Sequence, residues 1–169
     1  TNAQSRTIEE QLIRFNLPYR IIGGFRFYAR KEIKDVISYL RVIHNPKDGA
    51  SWNRIINTPP RGIGEKTKDK LKEDGWNVLT IEEKTRLPFT RWITDAKTLS
   101  TSELLHEVVE KSGYLSWLND GTEENLSRIE NIKELYSVAS QFTDLGDFLE
   151  NVALIESTDK PNKDGVNCI

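Results

Sequence analysis

The stretch Asn57-Thr58-Pro59-Pro60-Arg61-Gly62-Ile63-Gly64-Glu65-Lys66-Thr67 decides the reading of this chain. Two prolines interrupt the helical pattern before it, because neither carries an N–H to continue the ladder. Gly62 and Gly64 then allow a tight turn that side chains would oppose. A second helical pattern opens at Glu65 and runs to about residue 72. Helix, Gly-x-Gly hairpin and helix together make a helix-hairpin-helix. In that arrangement the glycine N–H groups, and the free N–H groups opening the second helix, can donate to a phosphate. Ile63 points back and staples the hairpin to the core, while Lys66, Lys68, Lys70 and the Thr67 hydroxyl reach neighbouring phosphates. None of these groups reads a base edge, so such binding ignores sequence and weakens with salt. A bare Gly-x-Gly would read more simply as a helix connection that needs glycine for geometry. Arg61 before it and Lys66-Thr67 after it shift the balance to phosphate binding.

Working outward, apolar spacing predicts helices on both sides. Residues 31–43 place Ile33, Val36, Ile37 and Leu40 on one face, and Asn45-Pro46 stops them. Residues 51–57 form a short helix carrying Trp52, Ile55 and Ile56. Nearer the start, residues 5–15 read as a helix, and Tyr19-Arg20-Ile21-Ile22 as a short strand closed by Gly23-Gly24. Downstream, Thr80 with Glu83 and Ser100 with Glu103 have capping-box spacing. Pro88 breaks what lies between. Residues 123–142 predict the longest helix, with Leu126, Ile129, Ile132, Leu135, Ala139 and Phe142 inward. Residues 145–155 predict the last, and Val166-Asn167-Cys168-Ile169 reads as the beginning of a strand. The expected fold is mainly α, with short β segments at the ends, and both ends read as interrupted.

The chain has 169 residues, enough for one domain with a sizeable core. With 37% hydrophobic and 30% charged residues it reads as globular rather than disordered or membrane-embedded. No apolar run approaches the ~20 residues that span a bilayer, and no secretory pattern opens the chain. The single cysteine, Cys168, excludes an internal disulfide framework and favours a cytoplasmic setting. The net charge of −2 hides an asymmetry. Residues 1–73 carry 15 Lys+Arg against 8 Asp+Glu, and residues 74–169 carry 9 against 18. An anionic partner would therefore touch the first half.

No complete catalytic set is legible. The phosphate-loop pattern G-x-x-x-x-G-K-[ST] does not occur. His44 and His106 lack metal-ligand spacing and read as surface or helix-end residues. Glu9-Glu10 and Glu123-Glu124 read as first-turn helix charges. Trp52, Trp76, Trp92 and Trp117 read mostly as core, with base stacking as the alternative. A small nuclease or glycosylase built on the hairpin would need a base nearby, and Asp69, Lys70 and Asp74 are nominal candidates.

Thr1-Asn2-Ala3-Gln4-Ser5-Arg6 resembles motif IV of UvrD/Rep/PcrA-type superfamily 1 DNA helicases. The run from Gly23-Gly24-Phe25-Arg26-Phe27-Tyr28-Ala29-Arg30 through Lys31-Glu32-Ile33-Lys34-Asp35 to Tyr39-Leu40-Arg41 resembles the stretch that follows it, and residues 57–64 are similar to the family's duplex-binding hairpin. The first two-fifths of the chain carries the specific match. The remainder agrees in helical layout and in Leu149-Glu150-Asn151-Val152-Ala153-Leu154, while residues 74–99 fit poorly.

The resemblance implies an internal piece of an ATP-dependent 3′-to-5′ helicase of DNA repair or replication, with ATP and Mg as cofactors of the parent and none for the fragment itself. Residues 1–43 would belong to the second motor domain and its joint, 44–157 to the helical accessory (2B) domain, and 158–169 to a linker and returning strand. It implies that Arg6 contacts the γ-phosphate of ATP, and that Arg61, Gly62, Ile63, Gly64, Lys66 and Thr67 grip the backbone of double-stranded DNA at a fork or junction. The Phe27–Arg30 segment with Glu32 would pack at the joint. The partners implied are DNA and the parent's own motor domains, with no membrane, and the isolated fragment is expected to be catalytically inactive. The alternative is a protein-interaction or autoinhibitory module, docking its acidic half on a basic partner without binding DNA.

Overall fold

The computed structural model describes residues 22–158, and these are helical throughout, with no strand among them. The helices are α1 (Ile22–Tyr28), α2 (Lys31–His44), α3 (Gly49–Ile55), α4 (Glu65–Glu73), α5 (Val78–Thr85), α6 (Phe89–Asp95), α7 (Thr101–Lys111), α8 (Tyr114–Leu118), α9 (Glu123–Ala139) and α10 (Leu145–Thr158). The expected helix over 5–15, the strand at 166–169 and Arg6 lie outside the described residues. The strand ending at Ile22 is corrected in part. Ile22 opens α1, and Gly23-Gly24 lies inside that helix rather than in a turn. Gly24 is buried there, although glycine costs about 1 kcal/mol in helix propensity relative to alanine.

Helix α2 is the hub. It packs against α1, α3, α6, α7, α9 and α10. Its apolar residues Ile33, Val36, Ile37, Tyr39, Leu40, Val42 and Ile43 are all buried. The two carboxylates of its first turns, Glu32 and Asp35, are buried as well and find partners on other helices. Asp35 accepts from Arg54 Nε at 2.8 Å and from the Tyr114 hydroxyl at 2.7 Å, tying α2 to α3 and α8. Glu32 accepts from Asn131 Nδ2 at 2.6 Å and faces Arg128 Nε at 3.9 Å, tying α2 to α9. Arg30 donates to Asn131 from just before α2.

Residues 74–99, the stretch least legible in the sequence, form core. Asn77, not Thr80, caps α5: its side chain accepts from Thr80 N at 3.2 Å. The expected start at Thr80 is thus displaced by a stronger capping residue three positions earlier. Pro88 ends one helix and stands directly before α6, whose Phe89 and Trp92 enter the core. Phe89 meets Trp52 edge-on at 4.7 Å and Trp92 at 5.1 Å, and stacks on Tyr39 at 6.3 Å. Three of the four tryptophans are thereby core, leaving Trp117 partly exposed. The Ser100–Glu103 capping box forms as expected, with both reciprocal bonds present. Helix α9 ends at Ala139 rather than at residue 142, and Leu126, expected inside, is 49% exposed.

The buried Asp35 cluster sets the first prediction. Asp35→Ala leaves Arg54 and the buried Tyr114 hydroxyl without their acceptor, and breaking a buried pair typically costs about 3–5 kcal/mol. Urea unfolding should show a loss of that order, against about 1 kcal/mol for Tyr114→Phe, which removes a single hydrogen bond.

Candidate nucleic-acid interface

Helix α3, the connector 56–64 and helix α4 bring the hairpin residues together at the surface. Asn57 follows α3 closely, and its Oδ1 accepts two backbone amides: Arg61 N at 2.7 Å and Ile63 N at 3.2 Å. This bends the connector and turns alternate amides inward. The amides between and after them, those of Gly62, Gly64, Glu65, Lys66 and Thr67, donate to no acceptor among the described residues. Residues 65–67 lack one because the first helical N–H groups have no carbonyl a turn earlier.

The two glycines have different reasons. Gly62 has φ +74°, the left-handed region that side chains rarely adopt. Gly64 has φ −79° and ψ 176°, open to any residue, and a Cβ there would meet nothing within 4 Å. The fold itself therefore does not require glycine at 64. Between them Ile63 is only 5% exposed, pinned in the core as expected.

Arg61 faces the other way. Its guanidinium donates to the Ile55 carbonyl at 3.1 Å, the Ser112 carbonyl at 3.1 Å and the Tyr39 hydroxyl, which itself donates to the Thr58 carbonyl. It also lies 5.8 Å over the Tyr39 ring. The stack runs Trp92–Phe89–Tyr39–Arg61, from the aromatic core to the hairpin. Lys66 and Thr67, by contrast, stand at the start of α4, Lys66 exposed and Thr67 half-buried. Glu65 could oppose an anion, but its side chain leans toward Lys68, 4.0 Å away. Leu71, fully buried, anchors α4 from below. Asp69, Lys70 and Asp74 are exposed and form no cluster with a nucleophile or metal set among the described residues.

Sequence reading missed Asn57, Tyr39 and Ser112 as parts of this site. Asn57 was the one with a local signal, since an amide side chain just before Pro-Pro can serve amides that the interrupted helix leaves free. Tyr39 and Ser112 come from helices distant in sequence and give no local sign.

Two predictions follow from the geometry. Arg61→Lys keeps the charge but cannot bridge three acceptors, because an ammonium lacks the planar fork. Unsatisfied carbonyls cost about 1–3 kcal/mol, and chemical unfolding should report a loss of that size. Burial pushes the Tyr39 phenol up to about 12, against the pull of the neighbouring Arg61 guanidinium. The folded chain thus holds this proton more tightly than the unfolded one. The associated stability is complete below pH ~10, the ordinary tyrosine value, and is lost as pH rises through about 12. Tyr39→Phe should flatten the alkaline limb of a stability-versus-pH curve by roughly 3 kcal/mol.

The family model of the UvrD-like helicase C-terminal domain matches residues 1–169. ATP-dependent DNA helicase UvrD1 of Mycobacterium tuberculosis (strain ATCC 25618 / H37Rv) is 34% identical over 100% of this chain and 28% of its own length. ATP-dependent DNA helicase PcrA of Staphylococcus epidermidis (strain ATCC 12228 / FDA PCI 1200) is 35% identical over 95% of this chain and 26% of its length. PcrA of Staphylococcus aureus (strain NCTC 8325 / PS 47) is 34% identical over the same shares. This chain spans about a quarter of the length of these relatives. The match over its full length settles the question of kinship: this chain belongs to the UvrD-like helicase C-terminal domain family.

Proposed function

We propose that this chain is the accessory (2B) part, with its joint to the second motor domain, of an ATP-dependent 3′-to-5′ DNA helicase of repair or replication in the cytoplasm. Its own contribution is sequence-independent gripping of duplex backbone at a fork or junction through a helix-hairpin-helix. The observation that carries this reading is the row of five amides, Gly62, Gly64, Glu65, Lys66 and Thr67, that have no acceptor among the described residues. Such a row at a helix start favours an anion. The open space around Gly64 supports it, since a glycine that the fold does not need suits a backbone that must let a phosphate come close. Lys66 and the Thr67 hydroxyl supply the flanking contacts. Ile63 and Arg61 act from behind the turn, Ile63 through the core and Arg61 through its three internal acceptors.

ATP and Mg belong, on this reading, to the parent protein. The resemblance of the first six residues to motif IV is the whole support for Arg6 at the γ-phosphate, and Arg6 lies outside the described residues. In the parent, residues 1–43 would be motor domain and joint, 44–157 the accessory domain, and 158–169 the return. Arg30 and Glu32 bonding to α9 supports a packing role for the joint segment. The competing reading, a protein-interaction or autoinhibitory module, draws support from the exposed Leu126 beside Leu115 and Ile129 in the acidic half.

Fluorescence anisotropy with a short labelled duplex across a salt series tests the proposal. Binding should weaken steeply with salt, by about one unit of log–log slope for each phosphate contacted. Gly64→Ala and Gly64→Pro suit the observed φ and remove no internal hydrogen bond, so stability should stay within about 1 kcal/mol. Duplex affinity should nonetheless fall in both, because one blocks close approach and the other deletes the amide. Lys66→Glu should abolish binding. Retained duplex affinity in all three variants defeats the hairpin assignment.

A further inference from the structure

A cavity of about 360 Å³ opens where the end of α1 meets α2, α3 and the last turn of α10. Lys34, Ser38, Arg41 and Arg54 line it, with Glu156 at one edge. Lys34, Ser38 and Arg41 stand at i, i+4 and i+7 of α2 and so share one face of that helix. Tyr28 and Ala29 complete the lining. Lys34 is exposed and has no ion pair among the described residues. Arg41 gives only Nη2 to Glu156, at 2.9 Å. Arg54 gives Nε to Asp35 at 2.8 Å and Nη2 to the Lys31 carbonyl at 3.3 Å, leaving Nη1.

Ser38 adds an independent sign. It is 4% exposed, and its hydroxyl makes no hydrogen bond among the described residues yet is not sealed from the cavity. A helical serine facing the interior ordinarily returns its hydroxyl to the carbonyl one turn back. Here the hydroxyl is left for whatever enters the cavity. Three cationic side chains, a hydroxyl on the cavity wall and one carboxylate already engaged fit an oxyanion. The volume amounts to roughly a dozen waters. That exceeds a lone phosphate and suits a phosphate with its flanking sugar.

We propose that this cavity is a second phosphate site, holding a phosphodiester group of the DNA backbone apart from the hairpin. The proposal rests on the reading that this chain binds DNA, but not on the hairpin being the place. Helix α3 joins the two sites: Arg54 lines the cavity, and Asn57, three residues on, folds the hairpin. Two separated phosphate contacts fix the orientation of a backbone, where one would leave it free to pivot.

Lys34→Gln and Ser38→Ala test this on the whole chain. Neither side chain has a partner among the described residues, so thermal melts should coincide with the wild type. With a labelled duplex and a labelled single strand across a salt series, Lys34→Gln should lower the log–log slope by about one unit, which is about fourfold in affinity between 50 and 200 mM salt. Ser38→Ala should weaken binding several-fold and leave the slope unchanged, since the hydroxyl carries no charge. If both variants bind like the wild type while Lys66→Glu still weakens binding, the cavity proposal fails and the hairpin reading survives. If the cavity variants weaken binding and the hairpin variants do not, the reverse holds. Absence of binding to both probes ends both. A third arm follows inorganic phosphate by phosphorus NMR. Broadening by the wild type that Ser38→Ala removes, with DNA affinity unchanged, would assign the cavity to free phosphate and overturn the DNA assignment.

Discussion

The guanidinium of Arg61 bridges three parts of the chain at one point. It takes the carbonyl that ends α3, the carbonyl just after α7 and the phenol of Tyr39 on α2. All three are groups that helices leave unpaired or bury. A helix ends with carbonyls lacking donors, and burying them without partners costs free energy. Arginine suits the position because its five donors lie in one plane and can serve several acceptors at once. With Arg61 fixed inward, Asn57 can collect the amides of Arg61 and Ile63, and the next amides along must face out. The outward amide of Gly62 lies between the two that Asn57 collects, and the row continues through the open first turn of α4.

The same economy governs α2. Its apolar residues seat it in the middle of the fold, yet Glu32 and Asp35 are carried inside with them. Each is matched by donors from other helices: Arg54 and Tyr114 for Asp35, Asn131 and Arg128 for Glu32. Buried carboxylates add little net stability, but they tolerate few alternative arrangements, because any mispacking strands a charge. Burial and the Asp35 carboxylate together push the Tyr114 phenol far above its ordinary range, so it serves only as a donor. In this way α3, α8 and α9 are held in register around α2, and α3 presents both the hairpin and the cation-lined cavity.

Much of the fold was legible because helices announce themselves by period. The patterns over 31–43, 65–72 and 145–155 each correspond to a helix with nearly those bounds. Capping chemistry was equally readable at Ser100–Glu103. Reading failed where two signals competed. Gly23-Gly24 reads as a turn by composition, yet tertiary contact makes it helical. Thr80 has capping-box spacing, but Asn77 captures the same amide first. Leu126 shares a helical stripe with buried residues and is still half-exposed, because it lines an open groove with Leu115 and Ile129 rather than the core. At the hairpin, the glycine turn and the inward Ile63 were visible locally, whereas the destination of Arg61 was not.

By itself the amino-acid order determined the helical architecture, the break at Pro59-Pro60 and the left-handed turn at Gly62. These are settled within a few residues, by backbone geometry and the spacing of apolar side chains. Only the tertiary structure decided which groups of the hairpin face inward and which face out. Arg61 reads as a surface cation until a carbonyl 51 residues away is placed beside it. A long cationic side chain goes where unpaired acceptors gather, and those acceptors exist only once distant helices have packed.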